Sequence, residues 1–336
     1  MKSLKIEPTK TTDELWMSRC IELAKQGRYG APPNPMVGAV IVHQGRILGE
    51  GYHVRCGEGH AEVNAMQAVR PEDRPLLPKS TIYVSLEPCA HQGRTPACAA
   101  MLVRERVGRV VVGCVDSFAK VAGRGIAMLR EAGIEVTVGV LEDECRALNR
   151  TFFTFHQLRR PFITLKWACS SDGFIDRERT ANEPPTQFSS PETLLRVHRL
   201  RSLHDAILVG RNTFAMDAPT LTARHWPGPQ PLRLILGHCP IVPKGFEQYG
   251  HIDEALQNLY ERGVQRLLVE GGRRVLTAFI ERALWEEAHE EIAPLVLKRG
   301  VRKPHLEQAV LEKEENFFGH TIRHYRNVFV QSDGQR

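Results

Sequence analysis

The sequence predicts an α/β protein of two domains, and three observations carry that expectation. Short apolar runs suited to buried strands alternate with glycine-closed segments of helical period. The alternation stops at Arg159-Arg160-Pro161 and then begins afresh. The chain has 336 residues, and a domain takes about 150, so two cores fit the length. The boundaries read from the pattern are residues 1–156 and 161–336.

In the first domain Thr12 is the expected cap of TDELWMSRCIELAKQ, with Trp16, Cys20 and Leu23 at helical spacing and Gly27 as the stop. PPNP is a rigid loop. MVGAVIV and ILGEGYH flank His43-Gln44-Gly45-Arg46 and read as a hairpin. A helix HAEVNAMQAVR, a strand TIYVSLE and a helix ACAAMLVRERV follow. Then come the strand RVVVGCVD, a helix closed by Gly133, the strand IEVTVGVL and one last helix, EDECRALNRTFFTFHQL. Strands alternating with helices imply a parallel or mixed sheet covered on both faces.

In the second domain FITLKWACSSDG is a strand running into a glycine turn, and Ser190 caps PETLLRVHRLRSL. DAILVG, LRLILG and QRLLVEGG are buried strands ending at glycine. IDEALQNLYERG and RRVLTAFIERAL are helices with apolar faces, and the tail from EEIAPLVL to RNVFVQ reads as antiparallel edge strands.

Composition narrows the function classes. Hydrophobic content of 42% and charged content of 25% belong to an ordinary globular chain. A net charge of +6 suits a small anionic substrate, and no Lys/Arg block is dense enough to track a nucleic acid. Cysteines 20, 56, 89, 98, 114, 145, 169 and 239 are scattered with no paired framework, which fits a reducing compartment. The first residues lack the apolar core of a signal peptide, and no run reaches membrane length. A cytoplasmic protein without membrane partners is expected.

One stretch carries chemistry. His60-Ala61-Glu62 opens a helix, and Pro88-Cys89 and Cys98 follow the next strand. One imidazole and two thiols can hold Zn2+ with a fourth position left for water, and Glu62 can stand beside it as a base. His91 competes as a ligand, but a fourth protein ligand would close the site. Thr95-Pro96 reads as an N-cap and first helical residue, which sets Cys98 in a first turn where the helix dipole favours thiolate. Positions i and i+2 do not share a helix face, so His60 and Glu62 must both sit at the helix mouth. The pattern H-x-E, then P-C and a second cysteine, is a zinc-deaminase signature, except that eight residues separate the cysteines instead of two.

The second half carries a different signal. Val269-Glu270-Gly271-Gly272 leads from a strand into a helix, which suits a phosphate on backbone amides. A G-x-G-x-x-G fingerprint is absent. Strands ending near Asp205, Arg211, Asp217 and Glu270 mark a cleft at the carboxyl edge of the sheet.

With both halves in view the chain resembles the bacterial bifunctional deaminase–reductases of riboflavin biosynthesis over nearly its whole length. The first half matches in Asn34-Pro35, Gly51-Tyr52-His53, His60-Ala61-Glu62, Leu86-Glu87-Pro88-Cys89, Gly93-Arg94-Thr95-Pro96-Ala97-Cys98 and Ala122-Gly123-Arg124-Gly125. The long cysteine spacing is that family's own. The second half matches in Thr164-Leu165-Lys166, Ser171-Asp172-Gly173, Asp205 to Gly210, Thr213, Asp217 to Arg224 and Val269 to Gly272. Three departures stand in the second half. Gln187-Phe188 replaces a usual Trp-Ile, Gly237 replaces a common aspartate, and the segment from Pro240 to Gly263 is short, as though a strand and a helix were missing.

The resemblance implies a cytidine-deaminase-like three-layer first domain, a dihydrofolate-reductase-like α/β second domain, and NADPH as second cofactor. It implies a phosphorylated pyrimidine as substrate and a homodimer or higher oligomer. By residue it implies His60, Cys89 and Cys98 as zinc ligands, Glu62 as the catalytic acid–base, and Asn34, Arg94 and Arg124 as substrate contacts. In the reductase it places Arg201, Leu221, Arg224 and Glu270 at the substrate. Ala168, Gln187, Thr213, Asp217, Gly272, Arg273, Arg274, Val275 and Leu276 fall at the nucleotide. Two rivals remain. A polynucleotide deaminase would share the zinc chemistry, and a degenerate second half would serve only as a structural module.

Overall fold

The computed structural model describes residues 11–90, 97–116, 123–180 and 183–328. They divide into two compact units between Gln157 and Leu158.

In the first unit α1 (Thr12–Ala24) is capped by Thr11, one residue before the expected cap. Thr11 Oγ1 accepts from Glu14 N and Glu14 reaches back to Thr11 N, so two orphan donors are met reciprocally. Gly27 does not stop this helix. It lies inside the 3-10 turn Lys25–Tyr29, where a Cβ would stand 2.5 Å from the His53 carbonyl. β1 (Gly38–His43) and β2 (Arg46–Tyr52) form the expected hairpin. Gln44 and Gly45 both take positive φ, the turn whose twist matches its strands.

β3 (Thr81–Leu86), β4 (Arg109–Cys114) and β5 (Glu135–Val138) complete a sheet of order β2-β1-β3-β4-β5. β1 is antiparallel to β2 and β3, and β3, β4 and β5 are parallel. On one face α2 (Ala61–Gln67), α3 (Cys98–Arg104) and α4 (Arg124–Glu131) pack on Ile41, Ile82 and Val112. On the other, α1 and α5 (Glu142–Leu148) pack on Val40, Tyr83 and Val111. Successive strand residues thus enter opposite cores, which explains why the strands read as unbroken apolar runs.

The single helix expected over 142–158 is two. Asn149 divides α5 from α6 (Arg150–Leu158) because its amide binds the backbone of Met36. Oδ1 accepts from Met36 N at 2.8 Å and Nδ2 donates to Met36 O at 2.9 Å.

The second unit begins with β6 (Phe162–Ser170) and the short β7 (Phe174–Asp176). Ser190 caps α7 (Pro191–Ser202) by accepting from Thr193 N, as expected. β8 (Ala206–Gly210), α8 (Arg211–Asp217), β9 (Leu232–Leu236), β10 (Phe246–Tyr249) and α9 (Ile252–Glu261) follow. β11 (Arg266–Val269), α10 (Arg273–Glu281) and β12 (Glu287–Ala293) lead to β13 (Val301–Arg302), β14 (Ala309–Phe317) and β15 (His320–Asn327). Eight strands form one sheet of order β10-β9-β8-β11-β6-β12-β15-β14, with β10 through β12 parallel. α9 and α10 cover one face around Leu165, Leu208 and Phe279. The other face packs Ile207, Val209 and Leu268 against Leu200 of α7 and Phe214 of α8.

The short segment from Pro240 to Gly263 carries the expected helix, α9, and before it a strand not expected there, β10, and the sheet is unbroken. β12 is not an edge strand, since it pairs parallel with β6 and antiparallel with β15. Its charged look comes from buried Glu290, which accepts from Trp167 Nε1, Lys303 Nζ and Tyr325 Oη.

Candidate functional site

In the first unit the sheet and two helix mouths bring His60, Cys89 and Cys98 together. His60 is the N-cap of α2 with extended backbone, Glu62 lies in that helix's first turn, and Cys98 opens α3. The N-cap of α3 is Ala97, later than Thr95, which lies with Pro96, His91 and Arg94 outside the described residues. His60 Nδ1 stands 3.3 Å from Cys98 Sγ and 3.6 Å from Cys89 Sγ. Zinc bonds of about 2.0–2.3 Å set at tetrahedral angles require nitrogen–sulfur separations of about 3.5 Å, so the donor set fits zinc. It is the one such cluster among the described residues. The thiol–thiol hydrogen bond holds Cys89 well below the ordinary thiol range and Cys98 well above it. The Cys89 sulfur also accepts from Cys98 N, as an anion at a helix N-terminus does.

Glu62 is 3% exposed, and burial pushes its carboxyl up to about 7. The neighbouring Glu87 is equally buried but differently employed. It accepts from the backbone N–H groups of Asp116, Gly123, Gly125 and Ile126 and so closes the N-terminus of α4. Gly125 must be glycine for this, because a Cβ would stand 1.9 Å from the Pro88 carbonyl.

His60, Glu62, Glu87 and Cys89 line a pocket of about 310 Å³ together with Asn34, His53, Phe152 and His156. His53 Nδ1 faces Gly59 O at 3.1 Å, an acceptor only, so Nδ1 carries the hydrogen and Nε2 accepts from Asn34 Nδ2 at 3.1 Å. Asn34 Oδ1 has no hydrogen-bond partner among the described residues and is open to a ligand. His53 lay inside a matching motif without a role, and Phe152 and His156 arrive on α6 with no local motif to announce them. Arg124 is exposed in the first turn of α4 and does not line the pocket.

In the second unit a cleft of about 830 Å³ opens along the carboxyl ends of β6, β8, β9 and β11. Ala168, Thr213, Asp217, Glu270, Gly272, Arg273, Arg274 and Val275 line it, with Lys166. Gly210 permits close approach there, since a Cβ would meet Val275 Cγ2 at 2.6 Å. Gly272 N donates to Thr213 Oγ1, tying α10 to α8. The glycine turn, the helix mouth and Arg273 and Arg274, which have no carboxylate partner among the described residues, fit a dinucleotide. Asp217 is held by Arg179, which also donates to Asp176.

Other expected contacts stand elsewhere. Leu276 is fully buried beneath the cleft, as the apolar face of α10 requires. Gln187 is exposed and donates to Ser189 O, while its neighbour Phe188 lines the cleft, so the aromatic is displaced by one position. Arg201 is ion-paired with Glu270 and donates to Thr222 O. Leu221 is buried with a left-handed backbone (φ 53), and Arg224 is exposed on Thr220. Such a backbone costs about 1–3 kcal/mol for a residue with a side chain.

Comparison with known proteins agrees with both halves. Residues 10–114 match the cytidine and deoxycytidylate deaminase zinc-binding region, and residues 161–314 match the RibD C-terminal domain. Riboflavin biosynthesis protein RibD of Aquifex aeolicus is 36% identical over 86% of this chain and 89% of its own length. The namesake protein of Actinobacillus pleuropneumoniae is 34% identical over 84% of each chain. Among solved structures, RibD of Acinetobacter baumannii superposes with a TM-score of 0.83 at 29% identity, covering 94% of this chain and 98% of its own. The Thermotoga maritima diaminohydroxyphosphoribosylaminopyrimidine deaminase/5-amino-6-(5-phosphoribosylamino)uracil reductase gives 0.82 at 30% identity with the same coverage. With a zinc-type donor set in one unit and a dinucleotide cleft in the other, the chain belongs to the bifunctional deaminase–reductase family of riboflavin biosynthesis.

Proposed function

We propose that the first unit hydrolytically deaminates a diamino-hydroxypyrimidine bearing a phosphoribosylamino group, and that the second reduces the ribosyl chain of the product to ribityl. The convergence of His60, Cys89 and Cys98 beside buried Glu62 carries this reading. Zinc, when bound, supplies the Lewis acidity that lowers the pKa of water. His60, Cys89 and Cys98 hold the metal. Glu62 takes a proton from the attacking water and delivers it to the departing ammonia. Asn34, oriented by His53, accepts from a ring substituent. Arg94 and Arg124 meet the phosphate.

In the second unit NADPH, when bound, supplies hydride. The turn at Gly271-Gly272 with Arg273 and Arg274 takes its phosphates, and Ala168, Thr213, Asp217 and Val275 flank it. Leu276 anchors α10 from below, and Gln187 stands at the rim beside Phe188. Arg201, Leu221, Arg224 and Glu270 meet the sugar phosphate, with guanidinium groups for its anion. The two activities divide at the segment between residues 156 and 161. The eight free cysteines support a reducing, cytoplasmic setting, and the exposed nine-residue edge strand β14 supports a homo-oligomer.

The test gives the purified chain the pyrimidine substrate and each nicotinamide nucleotide, following ammonia release and NADPH oxidation separately. Both should occur in that order. Ammonia release without any oxidation would leave the second unit a structural module.

A further inference from the structure

Five arginines line the reductase cleft, and they are not alike. Arg179 is held by Asp176 and Asp217, and Arg177 donates to Pro184 O. Arg273 and Arg274 stand in the first turn of α10, where the helix dipole disfavours a cation unless an anion lies between. Arg211 is the odd one. It opens α8 at the end of β8, it is exposed in the cleft, and it has no carboxylate partner among the described residues.

The stem of Arg211 lies flat over Gly237, just beyond the end of β9. A Cβ at position 237 would stand 3.1 Å from its Cδ, 3.2 Å from its Cγ and 3.4 Å from its Cβ. Gly237 also has φ +103, a conformation that side-chain-bearing residues rarely adopt. Any side chain there would lift the arginine off the strand end, and a carboxylate would pair with it. Glycine does neither, so the guanidinium stays seated and uncompensated.

Sheet order says which part of a dinucleotide this cation faces. The strands run β9-β8-β11-β6, and the glycine turn into α10 follows β11. Phosphates bound at that turn leave one nucleoside over β6 and the other over β8 and β9. Lys166 and the Arg201–Glu270 pair stand on the β6 and β11 side, so the reacting nicotinamide belongs there. The adenosine falls to β9. A carboxylate at such a strand end favours a ribose 2′-hydroxyl, whereas an unpaired guanidinium favours a 2′-phosphate.

We infer that Arg211, seated on the bare backbone of Gly237, reads the 2′-phosphate of NADPH and so selects it over NADH; this rests on the cofactor reading of the cleft given above. The test is isothermal titration of the full-length, zinc-loaded protein with NADP⁺, NAD⁺, adenosine 2′,5′-bisphosphate and AMP. Arg211→Gln should weaken NADP⁺ and the bisphosphate about 10- to 100-fold, the scale of one charge-assisted contact. NAD⁺ and AMP should hold within about twofold, and Arg211→Lys should restore much of the loss because the charge returns without the fork. Gly237→Asp should reproduce Arg211→Gln through pairing. Arg274→Gln should weaken NADP⁺ and NAD⁺ alike. An unchanged NADP⁺/NAD⁺ affinity ratio in Arg211→Gln overturns the assignment while leaving the cleft reading intact. If the wild-type protein binds none of the four probes, the cleft reading itself fails and this assignment with it.

Discussion

Arg201 and Glu270 form a two-pronged ion pair, Nε to Oε1 at 3.0 Å and Nη2 to Oε2 at 2.7 Å, with side chains only 13% and 12% exposed. Burial alone would raise the Glu270 carboxyl, but the adjoining guanidinium overcomes it and holds the group below the usual carboxylate range. Removing one partner leaves a charge without compensation. Arg201→Ala should therefore cost about 3–5 kcal/mol of unfolding free energy. The double variant Arg201→Met/Glu270→Leu should recover most of it. Urea denaturation followed by circular dichroism decides, and an unshifted midpoint in the single variant would mean that water already screens the pair.

Cys89→Ser and Cys98→Ser should each lose zinc and ammonia release together. A hydroxyl is a poorer zinc ligand than a thiolate, and three ligands leave no redundancy. Metal content by mass spectrometry is the readout. Full occupancy in either variant would move the site elsewhere.

Glu62→Gln should keep the metal and lower ammonia release by about 10²–10⁴-fold, since the amide keeps the shape but cannot carry the proton. Glu87 cannot take over, because its oxygens are engaged by four backbone N–H groups of the segment entering α4. Glu87→Gln should instead lower the melting temperature. Turnover close to normal in Glu62→Gln would assign the proton transfer to another group.

His204 gives the second unit a pH dependence. Its Nδ1 donates to Leu200 O at 2.7 Å, and its Nε2 stands 2.9 Å from Thr164 Oγ1, a hydroxyl that can donate to the neutral ring. Burial lowers its pKa from 6.5 to about 4. The unfolded chain therefore takes up this proton first as pH falls, so stability is full above about 6.5 and is lost progressively toward about 4. Between pH 7 and pH 4.5 the loss should be about 2–3 kcal/mol. Denaturation curves across that range should flatten by this amount in His204→Gln, and an equal slope in both proteins would contradict it.

Phe188→Ala should raise the dissociation constant of the nucleotide by the equivalent of about 0.5–1.5 kcal/mol, the worth of an aromatic stack. Gln187→Ala should leave it nearly unchanged, because that side chain turns out of the cleft onto Ser189 O. Fluorescence titration separates the two, and the reverse ranking would return the contact to Gln187.

Much of this was legible in the sequence, for identifiable reasons. The cluster of His60, Cys89 and Cys98 was, because metal chemistry restricts residue type and the helix mouths fix spacing. The buried strands were, because both faces of each sheet are covered. What escaped depends on distant partners. α8 buries no residue, so its apolar pattern is weak. β12 hides behind Glu290, whose burial makes sense only once Trp167, Lys303 and Tyr325 surround it. Phe152 and His156 join the deaminase pocket through a helix break that no local pattern announces. Phe188 replaces its expected neighbour because one residue of offset along an irregular loop exchanges the side facing the cleft.

Asn149 clasps the backbone of Met36 from 113 positions away, and α6 hangs from that clasp. Phe152 and His156 on α6 wall one part of the deaminase pocket, and Asn34 and Pro35, just before Met36, wall another. The aperture is thus gauged by a single amide, while the metal ligands sit on other elements altogether. Substitutions in either wall can retune which rings are admitted without disturbing the reacting centre, so substrate choice and catalytic chemistry in this unit are separately heritable.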